Sequence, residues 1–575
     1  MKFLRLAATA AVAVLTLAAC GEKEDAQTPG SDSENSLLSH VPHSTPYLAA
    51  NLEPVPNDVI DSYLLKAEPV LQAMQNQLTK ARASLQNHDD ATDKGEQLIL
   101  SLIEEIDGKL NRSGLESLGF DLQAEKALYG MGVFPVARIG LSDSAAMKAT
   151  ILRVFERAGV PAPEVDYQGI SYWRIAGDDH GAKDFPAAVY IAILDDHFAF
   201  SIFPTSSEPE LLPLFLGLEK PDSSDAASRI SSANQKYDFA PYFTGLMDLQ
   251  LFSEELLSPD SLFAKSVREA GEDSLDRVSD VCKAEYRQII GKMPRLVMGT
   301  TEMTVNSMGF SQIVETPSSL ATQLMSLVAD VPVVESLSSR MLEFSFGLKF
   351  GPVKEFLREN LMAISEAPYQ CKNLRKLNAN AEKGLAQLNQ PLPPLINNFM
   401  GVRVSLNKMA MTQSMPQEVE GLIALHVAKP EMIIGMGQMF MPGLAELQIE
   451  KGKPPVKLPD TLMPMPDTVA FAALSDNAIG ISIGAGEEAG LESFIQKPAT
   501  SDGTFVSLNY DTAKYLELTQ KLGDQWSDSS GEHVEMAKDI SEAVQKAYKA
   551  IAGRSEMYIR FNEHGLVIDS RMTFK

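Results

Sequence analysis

Few residues in this chain have the type and spacing that chemistry requires. Gly480-Ile-Ser482-Ile-Gly484 fits the G-x-S-x-G spacing of a serine nucleophile elbow, and Asp502, Asp511, His533 and His564 follow in an order a triad allows. An elbow needs its serine on a sharp strand-to-helix turn. Ile479, Ile481 and Ile483 alternate straight through Ser482, which predicts a strand interior and a structural serine. Serine hydrolysis through Ser482 therefore stands as the alternative, and the chain is expected not to be an enzyme. Gly484-Ala-Gly-Glu-Glu-Ala-Gly490 follows a strand and opens a helix, as a phosphate loop would. It lacks the G-x-G-x-x-G spacing and the P-loop lysine. Glu487 and Glu488 would repel phosphate, and they suit a positive helix start instead.

The eight histidines are His40, His43, His88, His180, His197, His426, His533 and His564. None forms H-E-x-x-H and no Cys-x-x-Cys occurs, so no metal site is expected. Asp178-Asp179-His180 and Asp195-Asp196-His197 read as turn chemistry, which favours Asp for its own sake. Met432, Met436, Met439 and Met441 crowd one segment after Pro430. Thioethers can bind Cu(I) and Met-rich surfaces adapt to varied partners, but an apolar helix face packed on a sheet is the preferred reading. No catalytic residue, cofactor or metal ligand is assigned.

The elements that would position these residues look duplicated. Val189-Tyr-Ile-Ala-Ile-Leu-Asp-Asp-His-Phe-Ala-Phe-Ser-Ile-Phe203 runs on to Glu208 and Leu211. Val469-Ala-Phe-Ala-Ala-Leu-Ser-Asp-Asn-Ala-Ile-Gly-Ile-Ser-Ile483 runs on to Glu488 and Leu491. Aligned without gaps, 280 positions apart, six of 27 residues are identical and Ile202 falls opposite Ser482. Each copy reads as strand, Asp-containing turn, strand and acidic-started helix.

Along the chain, Asn57 to about Gln86 and Leu98 to Leu110 carry helical spacing. Gly132–Leu141 and Gly169–Ile175 read as strands, with a helix between them capped by Asp143 or Ser144 and ended by Gly159. Tyr237–Asp248 reads as a strand. Cys282 and Cys371 are each expected on a helix, and Arg295–Val314 as a hairpin turning at Asn306–Gly309. A long helix is expected to end near Ile551, before a closing hairpin, Met557–Phe574.

The order of elements repeats, so the fold class expected is α+β. Two related lobes, 37–330 and 331–575, would come from a tandem duplication, each a mostly antiparallel sheet with helices on one face. The length, 575 residues, is itself too great for one core. With 50 basic and 76 acidic residues, net charge −26, nothing supplies the basic face a nucleic-acid binder needs.

Lys2 and Arg5 precede an uncharged apolar run, Leu6–Leu17, too short to span a bilayer as a mature helix, and Leu17-Ala-Ala-Cys20-Gly21 follows. Residues 1–21 closely resemble the bacterial lipoprotein signal. The resemblance implies cleavage of a signal peptide, 1–19, diacylglycerol on the Cys20 thiol and acylation (palmitate, for example) of its new amino group. Gly21 replaces the Asp that holds many such lipoproteins at the inner membrane. The expected location is therefore the periplasmic face of a Gram-negative outer membrane, with the outer leaflet of the inner membrane as alternative. Residues 20–36 read as a flexible tether. Cys282 and Cys371 are then an even pair in an oxidising compartment, a possible disulfide. Beyond the signal, Pro42-His-Ser-Thr-Pro46 loosely resembles uncharacterised bacterial envelope lipoproteins and brings no activity with it. The function expected is that of a non-enzymatic, membrane-anchored binding or scaffold protein with an unknown envelope protein or apolar ligand as partner. A lipid or lipoprotein carrier with an apolar pocket is the alternative.

Overall fold

In a computed structural model, residues 36–86, 94–176, 187–221, 224–269, 278–334, 339–412, 415–440, 442–462, 468–499, 502–523, 545 and 548–575 are described. The signal sequence with Cys20, nearly all of the tether, His88, His180, His533, Met441 and much of the expected helix before Ile551 lie outside them. The fold is mixed α+β, and its strand ladders are antiparallel. No helix among the described residues is long and apolar enough to cross a membrane.

The chain divides into two compact units. One takes the described residues up to Ser279 together with Pro294–Met308; the other takes Asp280–Met293, Gly309–Val534 and Tyr548–Lys575.

In the first unit the strands are β1 (Tyr47–Ala50), β2 (Lys126–Met131), β3 (Phe134–Gly140), β4 (Glu164–Tyr167), β5 (Ile170–Ala176), β6 (Ala187–Leu194), β7 (His197–Pro204), β8 (Thr244–Asp248) and β9 (Arg295–Thr304). Their order in space is β4-β5-β6-β7-β3-β2-β1-β8-β9. The inward positions alternate along each strand. Tyr129, Val136, Tyr190 and Phe203 form the floor of a core that Leu211, Leu212 and Phe215 of helix Glu208–Phe215 and Ile230 of helix Ala226–Tyr237 cover. Tyr190 stacks on Phe203 with ring centroids 3.8 Å apart, and Phe215 meets both edge-on. Tyr237, expected to open a strand, closes that helix instead, and the strand starts at Thr244. The apolar spacing Ala226, Ile230, Ala233 is helical but diluted by serines, which hid it.

The second unit has β10 (Ser307–Glu315, in this unit from Gly309), β11 (Leu342–Gly347), β12 (Phe399–Thr412), β13 (Met415–Val427), β14 (Val456–Lys457), β15 (Ala470–Leu474), β16 (Ala478–Ile483), β17 (Thr504–Asp511), β18 (Ala552–Asn562) and β19 (Gly565–Phe574). They lie in the order β14-β15-β16-β13-β12-β11-β17-β18-β19-β10. Helix Glu488–Gln496 buries Leu491 and Ile495 on Leu422, Ala424 and Ala478 of this sheet.

The two hairpins singled out in the sequence are both present. In the first, Ile193 faces Phe198 across the turn Asp195-Asp196; in the second, Leu474 faces Ile479 across Asp476-Asn477. Matched turn to turn, the hairpin strands stand 281 positions apart, whereas the helices keep 280, since Leu211 and Leu491, and Phe215 and Ile495, are the buried pairs. The ungapped alignment thus puts outward residues opposite inward ones within the hairpin. A one-residue slip reverses the face of every strand side chain. Ser482 therefore corresponds to Ser201 and not to Ile202; both serines are buried.

Cys282 and Cys371 are bonded to each other, Cα atoms 4.6 Å apart, inside the second unit. Cys282 lies on helix Asp280–Ile290 as expected, but Cys371 lies in a turn between helices Phe350–Glu366 and Arg375–Leu388. Pro368 stops the preceding helix because the residue before a proline avoids the α conformation. The Glu285 carboxylate accepts from the Gln370 and Cys371 amides at 2.7 and 2.9 Å, which fixes the turn against the helix. The bond spans 89 positions, for which the chain-entropy account gives about 4–5 kcal/mol. Cys282→Ser with Cys371→Ser should lower the unfolding free energy of the second unit by about 3–5 kcal/mol in denaturant titration. A loss below about 1 kcal/mol would show the loop to be held without it.

A buried ionic knot joins helix Lys94–Ile106 to helix Ser144–Arg157. The buried Glu105 carboxylate receives Arg153 at 2.7 Å, Lys109 at 2.8 Å and Arg157 at 2.9 Å. Burial alone would raise its pKa, but the bonds from Arg153 and Lys109 prevail and hold it down at about 2. Because the folded pKa is depressed, the knot contributes fully above about pH 4.5, and its contribution is lost as pH falls towards 2. With the cations half in water, the contribution is roughly 2 kcal/mol. Glu105→Gln should flatten the acid limb of stability between pH 5 and 2, read by thermal unfolding at stepped pH; an unchanged limb would assign the acid sensitivity to other carboxylates.

Candidate functional site

Each unit carries one fully or almost fully buried arginine where the strand pattern calls for an apolar residue. Arg138, fully buried, sits in β3 with Ala127 and Ala199 as its cross-strand neighbours. Those two small side chains leave room for a guanidinium on the helix-covered face. It donates to Tyr129 Oη at 3.0 Å and to the carbonyls of Leu214 and Phe215 at 3.3 and 2.8 Å, the open end of helix Glu208–Phe215. Helix ends leave their last carbonyls unpaired, and a cation there also suits the helix dipole.

Arg138 Nη1 lies 2.8 Å from His197 Nε2. Arginine can only donate, so Nε2 accepts and the His197 proton sits on Nδ1, facing Asp196 Oδ1 at 3.0 Å. Burial, with the charge of Arg138, keeps the His197 pKa below its ordinary value although Asp196 opposes this. The His40 ring lies 5.6 Å from that of His197, tilted by 50°, and its pKa is pushed down to about 3, by burial first and then by Arg138.

The second unit repeats the arrangement from a different strand. Arg403 lies in β12, flanked by Ser345 and Ala424, again small. Its Nη1 donates to the Phe494 carbonyl at 2.9 Å, near the end of helix Glu488–Gln496, and its guanidinium covers the Phe494 ring at 4.2 Å. His426 is buried nearby with its pKa lowered to about 4, by burial and by Arg403. Neither His426 ring nitrogen has a hydrogen-bond partner among the described residues.

A second pairing sits at the start of each helix. Arg174 Nε and Tyr190 Oη both donate to Glu208 Oε1, at 2.5 and 2.6 Å. Arg174 faces Tyr190 across β5 and β6, as Lys457 faces Phe471 across β14 and β15. At the start of helix Glu488–Gln496, Glu488 has a buried Oε2 with no partner among the described residues.

Among the described residues, those singled out in the sequence are not brought together into a catalytic centre, and His533 lies outside them. Ser482 lies in mid-strand, paired to Leu422 on one side and Phe471 on the other, with its buried hydroxyl unpartnered among the described residues. His426 pairs with Ala478, four residues away along β16, a distance of about 13 Å at strand rise. His564 sits by the β18–β19 turn and contacts Glu563 at 3.6 Å. No base is presented to Ser482 by either histidine.

The glycine-rich turn Gly484–Gly490 holds Glu487 in a bidentate contact with Arg340 at 2.7 Å, where a phosphate would have to enter. Asp195 has φ 41°, a left-handed turn position that Asp tolerates, and Asp196 caps the strand ladder through its carbonyl to Leu141. Asp178-Asp179-His180 lies outside the described residues. No group of three or more His, Cys, Asp or Glu among the described residues could hold a metal ion. In helix Pro430–Phe440, Ile434 packs on Ile449 and Leu458 as a core face should, and Met432 and Met436 are half-buried, but Met439 and Phe440 are about 80% exposed.

Clefts open in both units. One, about 340 Å³, is lined by Met341, Met409, Leu518 and alternating lysines and glutamates in the second unit. The other, about 370 Å³, lies beside helix Ala226–Tyr237 in the first.

No family model, curated protein or solved structure matches the chain.

The sequence pattern gives no role to Arg138 or Arg403 and weighs His426 only as a metal ligand. The available signal was parity: Val136-Ala-Arg138-Ile and Val402-Arg403-Val404 each place a charge inside an apolar strand, where only a paired arginine survives. Replacing Arg138 with Met orphans two carbonyls, a phenol and an imidazole at once. Arg138→Met should cost about 3–5 kcal/mol in chemical unfolding, and Tyr129→Phe, which loses one bond, about 1 kcal/mol. Equal losses in the two variants would refute the capping role.

Proposed function

We propose that this chain is a lipid-anchored protein of a bacterial envelope, attached through Cys20, facing the periplasm from the outer membrane, and acting by binding and not by catalysis. The observation that carries the reading is the accounting of cysteines. Of three in the chain, Cys282 and Cys371 are bonded to each other, as suits an oxidising compartment, and the third stands at the end of the lipobox-like sequence. Several acyl chains give durable attachment where one would not, at about 0.8 kcal/mol per buried CH2. The absence of a base at Ser482 from the described histidines favours binding over hydrolysis.

The two units are read as divergent copies of one ancestral fold. One interior strand of each, β1 or β11, gives the common reference. It is flanked on one side by the hairpin β2–β3 or β12–β13 and then by β7-β6-β5 or β16-β15-β14; on the other side lie β8-β9 or β17-β18. The buried arginine that caps the helix after the second hairpin, and the glutamate that starts it, support the same reading. A two-copy binding protein would take an envelope protein or a small ligand as partner.

Metabolic labelling with an alkyne fatty acid tests the anchor. The native chain should be labelled and sediment with outer membranes, and Cys20→Ser should be unlabelled and released by osmotic shock. Label retained in Cys20→Ser, or absent from the native chain, would remove the proposal.

A further inference from the structure

Helix Pro430–Phe440 departs from the pattern of surface helices. Such a helix turns an apolar side to the core and a polar side away from it, and one that is apolar all round belongs in a core or a membrane. Here Ile434 packs on Ile449 and Leu458, and Gln438, one turn on, donates to the Leu447 carbonyl at 3.1 Å. On the opposite side Met432, Met436 and Met439 recur at i, i+4 and i+7, with Phe440 beside them. Yet only Pro430 of this helix is buried. Met439 and Phe440, at 80% and 81%, are the most exposed large apolar side chains among the described residues. No charged residue lies between Glu431 and Glu446, and Gln438 is the one polar side chain in that stretch. The helix thus ends in an uncharged apolar protrusion, pinned through Gln438, on a chain of net charge −26.

A second copy or another protein would need about 800 Å² on each side and about one hydrogen bond per 100–200 Å². At these exposures one methionine and one phenylalanine offer roughly 300 Å². The single polar side chain of the stretch is already engaged, and two copies would bring their negative charges together. A bilayer requires neither the area nor the hydrogen bonds, since its interface takes up apolar side chains to a depth of about 5–10 Å. We infer that the tip of helix Pro430–Phe440 is a membrane contact, with Met439 and Phe440 inserted among the acyl chains of a zwitterionic surface. This contact rests on the reading of the chain as an envelope protein held at a membrane, and it adds a second point of attachment to the lipid on Cys20. An anchored chain needs little further affinity, because the second contact is then intramolecular. Glu431, Glu446 and Glu450 beside the tip are exposed and would be repelled by an anionic surface, so the contact is apolar and not electrostatic.

The test uses the chain begun at Gly21, which keeps every described residue and lacks only the signal and Cys20, so that no other apolar segment inserts. It carries Phe440→Trp and is titrated with phosphatidylcholine vesicles. Emission of the added indole should shift to the blue and be quenched by lipid brominated on its acyl chains, to an extent that salt does not change. The chain with native Phe440 should show neither effect. Met439→Asp in addition should lower the vesicle affinity at least ~10-fold, the order expected for taking one apolar side chain out of hydrocarbon. Thermal unfolding should stay unchanged, both positions being exposed. Emission indifferent to vesicles overturns the inference. So does binding that requires anionic phosphatidylglycerol and is lost in salt. A blue shift that grows with protein concentration without vesicles, with a dimer in sedimentation, assigns the tip to a second copy and also overturns it. Because Cys20 is absent from this chain, a negative result removes the tip and leaves the anchor standing. Loss of the alkyne label from the native chain would remove the anchor and leave a positive vesicle result standing.

Discussion

A guanidinium removed from water in the middle of an apolar sheet must be surrounded by acceptors or it unfolds what surrounds it. In each unit that requirement sets several other features. The strand neighbours of Arg138 and Arg403 have to be small, and they are alanine or serine. The helix that follows the second hairpin has to end above the arginine, so its length is set from below, and its last carbonyls gain the donors that a helix end otherwise takes from water. Burial first, and then the same charge, holds the pKa of the neighbouring histidines below its ordinary value. Register and helix length thus follow from one buried cation per unit. That the two arginines come from different strands and still reach the same helix end shows what is constrained: the place of the charge, not the residue that delivers it.

The start of the same helix shows the reverse. Arg174, Tyr190 and Glu208 form a closed set of bonds in the first unit. In the second unit Lys457 faces Phe471, a pair that offers no hydroxyl and no planar fork, and Glu488 keeps a buried oxygen without a partner among the described residues. A lysine is a point charge on a flexible stem and does not replace a guanidinium at such a contact.

How much of this was legible in the sequence follows from range. Periodicity identified helix Asn57–Gln86, the capped helix Ser144–Arg157, and both repeated hairpins, because these are local patterns of apolar spacing and turn residues. It failed at Ala226–Tyr237, where serines thin the apolar face, and at Cys371, where a proline and a carboxylate 86 positions away hold a turn that no local signal announces. The ungapped alignment keeps the buried residues of the two helices in step but sets the two hairpins one residue out of step, since identities at Val189, Ala192 and Leu194 satisfy composition without testing which face a side chain takes. The cleft beside Arg229 was not legible at all; its lining comes from residues 43 to 297 and only folding assembles it.

The disulfide also imposes an order in time. In chain order Cys282 precedes its partner by 89 positions, so in the oxidising compartment that a disulfide needs it stays unpaired until Cys371 follows it. The last strand of the first unit, ending at Thr304, lies within that span, so the first unit has all its strands while the thiol that will close the second is still reduced. Closure of the second unit is therefore the later event, and until then a lone reactive sulfur is exposed to whatever other thiol the chain still carries. A modification that caps the earliest cysteine would leave that sulfur a single possible mate.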